Sequence, residues 1–176
     1  ERANWRALDG RMMSAINAPG SAGKLQALAG EAPASIEPVV ADLALVREVR
    51  ALVCALAARG ERIDVLLNNV GVLLDDYTLT VEGREASLAT NLLNHYLLTE
   101  DLLTRDLLAR DGVVINMSSG GMYNVPLMVE ALRMPAQAYN GVLAYGLHKR
   151  AQVVLTDWWR DRHRERGVRF YAMHPG

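Results

Sequence analysis

From residue 36 onward, short apolar segments alternate with longer helical ones, and this order limits the possible folds more than any other feature of the sequence. The predicted strands cover residues 36–41, 63–67, 113–117 and 168–173. Each is mainly apolar, as expected where both faces of a parallel sheet are covered. Strands that alternate with helices predict an α/β fold with a doubly wound parallel sheet. No linker divides the sequence, so we expect one domain over residues 1–176.

Three helices are predicted between the strands, over residues 43–59, 81–109 and 142–166. Asp42 is the expected N-cap of the first helix, because its carboxylate can accept hydrogen bonds from free backbone N–H groups. Gly60 is the expected end of that helix. The apolar stripe of the first helix consists of Leu45, Val49, Leu52, Val53 and Leu56.

The remaining segments are less regular. Glycine and proline interrupt residues 1–35, where we predict only a short helix over residues 5–16. Gly112 is the expected turn before the third strand. Residues 118–141 are rich in Gly, Pro and Met and are predicted to form a long loop.

Composition argues against several classes of protein. A formal net charge of -1 does not suggest a nucleic-acid-binding domain, which usually carries a clear basic excess. The sequence has no run of about 18 apolar residues that could cross a membrane, and no signal-peptide pattern. Cys54 is the only cysteine, so an intrachain disulfide is excluded and a reducing compartment is favoured. We therefore expect a cytoplasmic protein with no nucleic-acid partner.

Small or polar residues follow all four predicted strands. They are Asp42-Leu43, Asn68-Asn69-Val70-Gly71, Ser118-Ser119-Gly120-Gly121 and His174-Pro175-Gly176. Such residues favour turns for local reasons. Ligands of doubly wound sheets, however, lie at the carboxyl ends of the strands. Four such segments together therefore predict a polar ligand across the strand ends.

Tyr145 and Lys149 are the residues most suggestive of chemistry. Residues four apart share a helix face, and an ammonium group close to a phenol favours the phenolate. Such a tyrosine can give or take a proton at a carbonyl or alcohol oxygen. The spacing alone occurs by chance on many helices. Tyr139 is the alternative, but no lysine follows it four residues later, and we reject it as the acid/base.

In their order along the chain, these segments resemble the short-chain dehydrogenase/reductase family, which has a Rossmann-like fold. Tyr145 and Lys149 match the family's Tyr-x-x-x-Lys pair, and Asn68-Asn69-Val70-Gly71 resembles Asn-Asn-Ala-Gly, with Val70 in place of alanine. The other matches are Asp42 to the acidic residue beside the adenine, Asn91 to the asparagine of a helix, Ser119 to the catalytic serine, and His174-Pro175-Gly176 to the Pro-Gly beside the nicotinamide.

The resemblance implies an oxidoreductase that interconverts an alcohol and a carbonyl with NAD or NADP. Ser119 and Tyr145 would hydrogen-bond the substrate oxygen, Lys149 would bind the nicotinamide ribose, and Asn91 would support a proton-relay water. The implied catalytic residues are Asn91, Ser119, Tyr145 and Lys149. The implied cofactor-binding residues are Asp42, Leu43, Asn68, Asn69, Gly71, Asn91, Met117, Tyr145, Lys149, Pro175 and Gly176.

Some features concern substrate, metals and partners. The segments 118–122 and 149–156 look like the branch that contains dehydrogenase/reductase SDR family member 12, and the loop before Tyr145 has the length found in retinol-dehydrogenase-like members. Apolar loop residues could line an apolar substrate pocket or simply pack on the core. They are Met122, Tyr123, Val125, Leu127, Met128 and Met134. The histidines lack metal-binding spacing, so we expect no metal and interpret them as structural or surface residues. Family analogy suggests a homodimer through the two long helices.

The sequence also departs from the family pattern. The glycine-rich turn Thr-Gly-x-x-x-Gly-x-Gly is absent, and residues 20–24 do not replace it because no apolar strand precedes them. The C-terminal substrate segment is absent as well. We therefore expect a fragment that by itself binds the cofactor poorly or not at all. The preference between NAD and NADP is left open.

Two rival interpretations remain. A non-catalytic nucleotide-binding or scaffold protein could share the fold, since fold does not determine function; such a protein would be expected to lose one of the four catalytic residues, and none is lost. An epimerase or dehydratase of the extended branch is disfavoured by the Asn-Asn-x-Gly segment, which looks like the oxidoreductase branch.

Overall fold

The computed structural model describes residues 12–16 and 36–174, with side chains from residue 39 onward. The chain divides into two compact units, Glu1–Asp42 and Leu43–Gly176. In the first unit, β1 (Met12–Ile16) pairs in parallel with β2 (Ile36–Val40). The prediction of a helix at residues 12–16 is therefore wrong, because pairing with a strand distant in sequence outweighs helical spacing. The rest of that predicted helix and residues 20–24 lie outside the described residues.

The second unit contains a three-stranded parallel sheet. Its strands are β3 (Ile63–Asn68), β4 (Leu108–Met117) and β5 (Arg169–Met173), in that order across the sheet. This arrangement confirms the predicted α/β fold with a parallel sheet. The start of β4 differs from the prediction, since Gly112 lies inside the strand, in a stretch where the register with β3 is irregular.

Three helices accompany this sheet. They are α1 (Val46–Ala58), α2 (Ala86–Leu88 continuing through a π-helical turn at Ala89–Leu93 into Asn94–Thr104) and α3 (Gly141–Arg162). The predicted helix over residues 81–109 is thus too long at both ends. The loop before α3 contains short 3₁₀ turns at Gly120–Asn124, Glu130–Leu132 and Ala136–Ala138. Gly60 adopts a positive φ angle, as the predicted helix end requires. Gly167 also has a positive φ angle and follows the short 3₁₀ turn Arg164–Arg166 after α3.

The N-terminus of α1 is capped by a residue that is distant in sequence. Its N-cap residue, Leu45, makes no side-chain cap. Instead, the Glu82 carboxylate accepts hydrogen bonds from the backbone N–H groups of Val46 at 2.8 Å and Arg47 at 3.1 Å. A negative charge is favourable at a helix N-terminus. The predicted cap by Asp42 is wrong, because a carboxylate from the loop before α2 takes that role.

The core of this unit lies between the sheet and helices α2 and α3. Trp159 of α3 is buried, its ring stacks on Phe170 at 6.2 Å between centroids, and its Nε1 donates to Glu100 at 2.6 Å. On the opposite side of the sheet, Val65 and Leu67 are about half exposed. Within residues 43–174, helices α2 and α3 contact the sheet. Coverage of its second face stays a prediction.

None of the described helices has the length and apolar character that a membrane span requires. The cytoplasmic location stays a prediction.

Candidate active site

Lys149 lies at the centre of the site. Its side chain is only 2% exposed, and its Nζ donates to the Met117 carbonyl at 2.8 Å. The ammonium lies 5.5 Å from the ring centroid of Tyr145, as their shared helix face predicts. Burial lowers the pKa of Lys149 to about 8, because a low-dielectric environment disfavours the charged form. At neutral pH this side chain is still mainly an ammonium.

Tyr145 occupies the first turn of α3, which begins where the Asn140 side chain accepts a hydrogen bond from the Leu143 N–H at 2.9 Å. The Tyr145 side chain is half-buried and lines a cavity of about 460 Å³. Within residues 39–174 its hydroxyl has no hydrogen-bond partner. The hydroxyl is therefore open to a ligand in this cavity.

Asn91 lies in the π-helical turn of α2 and is fully buried. Its side-chain amide makes two hydrogen bonds to the backbone of Val72. Nδ2 donates to the Val72 carbonyl at 2.8 Å, and Oδ1 accepts from the Val72 N–H at 2.8 Å. Nδ2 also donates to Ser87 Oγ at 3.0 Å. Turns of this kind interrupt a regular helix and are frequent at functional sites. Asn91 thus ties the loop after β3 to α2.

Gly71 lies directly against these two residues. A Cβ atom at this position would be 3.2 Å from both Lys149 Nζ and Asn91 Oδ1. The glycine therefore allows the backbone after β3 to approach the ammonium closely.

The two serines after β4 have different roles. Ser118 is buried and its Oγ donates to the Lys149 carbonyl at 2.9 Å, which joins the end of β4 to α3. Ser119 is half-buried and caps the following 3₁₀ turn, where its Oγ accepts from the Gly121 N–H at 3.4 Å. That turn packs against α3, since a Cβ built on Gly146 would be 3.3 Å from the Gly121 carbonyl. Ser119 accordingly lies on the turn that borders Tyr145.

The structure does not bring all the predicted cofactor-binding residues to this centre. The Asn68 side chain is buried, and it donates to Thr99 of α2 at 3.0 Å and to Asn116 of β4 at 2.8 Å. Leu43 is buried, whereas Asn69 is exposed. Asp42 is an exposed residue that ends the first unit. Pro175 and Gly176 lie outside the described residues.

Two buried histidines next to the site were not selected from the sequence. His95 is 1% exposed, and its Nε2 lies 2.8 Å from the Val70 carbonyl. Burial and then the charge of Lys149 lower the pKa of His95 to about 4. His148 contacts Ser87 Oγ at 3.4 Å and the Leu132 carbonyl at 3.3 Å, and burial lowers its pKa. The four-residue spacing of His95 from Asn91 was the signal that could have identified it.

The residues around Lys149 fit a ligand that carries hydroxyl groups. Of the three N–H donors of Lys149, one is directed to Met117, and the Tyr145 hydroxyl is open. Gly71 leaves room beside both because it has no side chain. A nicotinamide ribose has the required hydroxyls. Among residues 39–174, no group of three or more His, Cys, Asp or Glu could hold a metal ion.

Comparison with known proteins agrees with these features. A model of the family described as short chain dehydrogenase matches residues 12–176. Dehydrogenase/reductase SDR family member 12 of Bos taurus is 36% identical over 114 residues, which are 65% of this chain and 35% of that protein. Retinol dehydrogenase 12 of Bos taurus is 35% identical over 135 residues, which are 77% of this chain and 42% of that protein. The predicted family and branch are confirmed, and the chain spans less than half the length of these relatives.

Solved structures agree with the fold. A protein of Mycobacterium paratuberculosis has a TM-score of 0.76 and 29% identity, covering 94% of this chain and 58% of its own. A Beutenbergia cavernae protein assigned as an NAD(P)-dependent gluconate 5-dehydrogenase has a TM-score of 0.66 and 26% identity, covering 87% and 57%. The latter was solved with NADP bound at low occupancy.

Proposed function

The chain belongs to the short-chain dehydrogenase family, and from this membership we propose that the full-length protein is an NAD(P)-dependent oxidoreductase that interconverts an alcohol and a carbonyl. The observation that carries the proposal is the open Tyr145 hydroxyl at a 460 Å³ cavity, with the buried Lys149 ammonium beside its ring. NADP in the Beutenbergia cavernae structure supports a nicotinamide cofactor. The site favours catalysis over a scaffold role, because burial of an ammonium opposes folding and a residue kept at such a cost is a candidate functional residue.

Each residue then has a definite task. Lys149, Gly71 and Asn91 would hold the nicotinamide ribose, and the bound nicotinamide supplies or accepts the hydride. Tyr145 gives its hydroxyl proton to the substrate oxygen during reduction and takes one from it during oxidation. Ser119 donates a second hydrogen bond to the same oxygen. The positive charge of Lys149 stabilises the tyrosine when it has lost its proton.

The substrate is proposed to be apolar around its reacting group. Four apolar side chains line the cavity next to Tyr145: Leu73, Val125, Val142 and Leu143. The relative named retinol dehydrogenase 12 supports an apolar alcohol as substrate. Higher kcat/KM for long-chain than for short polar aldehydes would be expected, and equal values would contradict an apolar pocket.

A homodimer through α2 and α3 is also proposed, by analogy with the family. The support is that both helices carry exposed apolar side chains, Tyr96 on α2 and Val154 and Trp158 on α3. A monomer in sedimentation experiments on the full-length protein at micromolar concentration would contradict it.

The acid/base role is tested by Tyr145→Phe in the full-length protein, assayed for reduction of decanal with NADH and with NADPH. The variant keeps the ring and removes only the hydroxyl. Loss of a general acid typically lowers the rate by about 10²- to 10⁴-fold, and we expect kcat to fall in this range while the protein stays folded. The cofactor that gives the higher kcat/KM identifies the preference.

Tyr139→Phe is the matched control, because Tyr139 lies in the loop before α3 and donates to the Leu74 carbonyl at 3.3 Å. It should keep kcat within a few-fold of the wild type. Near-normal kcat in Tyr145→Phe would refute the proton-transfer role. A wild-type protein that binds NADH or NADPH but reduces no carbonyl would favour the scaffold function.

A further inference from the structure

Gln152 lies one helical turn after Lys149 on α3 and is 1% exposed. Its Nε2 donates to the backbone carbonyl of Asn91 and lies 2.8 Å from His95 Nδ1. These two contacts join α3 to the π-helical turn of α2. Among residues 39–174 the Gln152 Oε1 has no hydrogen-bond partner. A buried acceptor without a partner is unfavourable, so the orientation of this amide carries a free-energy cost.

The donor and the acceptor of each hydrogen bond around Gln152 follow from the chemistry of the groups involved. The Asn91 carbonyl can only accept, so the nitrogen of Gln152 must face it. The same nitrogen faces His95 Nδ1, which must therefore be the unprotonated ring nitrogen. His95 then carries its proton on Nε2 and donates it to the Val70 carbonyl at 2.8 Å. The neutral form that burial favours is the form that these hydrogen bonds require.

These bonds hold the turn at residues 70–72 from both ends. His95 holds the Val70 carbonyl, and the Asn91 side chain holds the N–H and carbonyl of Val72. Gln152 links the two holding residues to each other. Gly71, between the held residues, is the backbone segment that lies against the Lys149 ammonium. Movement of this turn would change both the ribose site and the burial of the ammonium.

We propose that Gln152 and His95 are positioning residues, which hold the turn at residues 70–72 beside Lys149 and fix the Asn91 carbonyl on the π-helical turn. The role rests on the proposed oxidoreductase function. Neither side chain touches the reacting atoms; they act through Asn91 and Gly71. Without the Gln152 donor, the His95 ring is held by the Val70 carbonyl alone, the turn loosens, and water reaches the ammonium.

The hydrogen-bond link is tested first without any turnover. In the full-length protein labelled with ¹⁵N-histidine, the His95 signals, assigned with His95→Gln, should show the Nε2–H tautomer at neutral pH. Gln152→Met removes the donor at nearly constant volume. We expect a changed Nδ1 chemical shift and a higher pKa for His95, because the unprotonated Nδ1 loses the hydrogen bond that favoured the neutral ring. Unchanged His95 signals in Gln152→Met would overturn the proposal.

The positioning role is tested by kinetics of the same variant with decanal. Misplaced groups can cost about ten- to a hundredfold in rate, so kcat per folded molecule should fall by that factor. Hydration of Lys149 should move the alkaline limb of the pH profile of kcat to higher pH. Wild-type kcat and an unmoved alkaline limb would also overturn the proposal.

Thr156→Val is the matched control. Thr156 is a buried polar residue of α3 that accepts from Asn116 Nδ2 at 2.8 Å and donates to the Gln152 carbonyl at 2.7 Å. This variant should lose stability without moving the alkaline limb, and an equal shift there would show that Gln152→Met acts only through packing. If the wild-type protein reduces no carbonyl, the proposed function fails and the positioning role of Gln152 fails with it. If the wild type turns over and Gln152→Met keeps both kcat and the alkaline limb, only the positioning role fails.

Discussion

The two halves of α3 differ in the exposure of their charged side chains. The half that contains Tyr145 and Gln152 buries the Lys149 ammonium, which has no carboxylate partner among residues 39–174 and is held by the Met117 carbonyl. The other half carries exposed ion pairs, Asp157 with Arg160 at 2.7 Å and Asp161 with Arg164 at 2.9 Å. The first half of α3 therefore contains a charge whose burial opposes folding, whereas the charges of the ion pairs in the second half stay exposed to water.

This difference separates function from stability. Exposed ion pairs contribute little because water and salt screen them. A buried ammonium lowers stability unless its environment compensates for lost hydration. A residue kept at such a cost is a candidate functional residue. The comparison predicts that substitution of Lys149 in the first half of α3 strongly lowers activity without lowering stability. Substitutions in the second half should change activity and stability only slightly.

The largest expected effect is that of Lys149→Met. The variant keeps the length of the side chain and removes the charge, so kcat for decanal reduction should fall by about 10²- to 10⁴-fold. Its free energy of unfolding at pH 7 should be unchanged or higher, since apolar replacements of buried charges are often neutral or stabilising. Denaturant unfolding measures this, with Arg160→Met as the control in the second half. A clearly less stable Lys149→Met would break the comparison, because the ammonium would then be a structural residue.

The next effect is a pH dependence of stability. Folding lowers the pKa of Lys149 from 10.5 to about 8 because the side chain is buried. Between these values the unfolded chain binds more protons than the folded one, so the free energy of unfolding contributed by Lys149 rises with pH across this range. Activity should fall over the same range as the ammonium is lost. The difference between wild-type and Lys149→Met unfolding curves, measured from pH 7 to 10.5, isolates this contribution. Parallel curves would contradict it.

Local patterns were sufficient to predict much of the fold. The apolar stripe of α1, the positive-φ glycines that end helices, and the apolar segments of β2, β3 and β5 depend on neighbours in sequence. β1 was missed because its strand conformation depends on pairing with β2. The cap of α1 was assigned to Asp42 instead of Glu82 for the same reason, since the true partner is distant in sequence.

The site likewise combines features that local sequence patterns predict with features that depend on residues distant in sequence. Tyr145 and Lys149 share a helix face at a spacing visible in the sequence, and their proximity is seen in the structure. The pair of Gln152 and His95 could not be predicted, because it requires knowing that α2 and α3 lie side by side. Asn68 was predicted as a cofactor-binding residue from its motif, and this stays a prediction; its side chain donates to Thr99 of α2 and Asn116 of β4. A motif predicts where along the chain a site residue lies, but the direction of its side chain depends on packing.

The smallest expected effect is that of Asp161→Asn in the second half of α3. Its hydrogen bond from Arg164 lowers the pKa of Asp161, so any stabilisation is present above the ordinary carboxyl pKa and is lost as the pH falls below it. The carboxylate is exposed, and screening should make this contribution too small to separate from wild type in thermal unfolding at pH 7 and moderate salt. The kcat and its pH profile should also stay unchanged, because Asp161 is three helical turns beyond Lys149. A marked loss of stability that high salt abolishes would show that the exposed pairs act as a network. The second half of α3 would then be a stabilising element, and the contrast with the costly charge of the first half would become sharper.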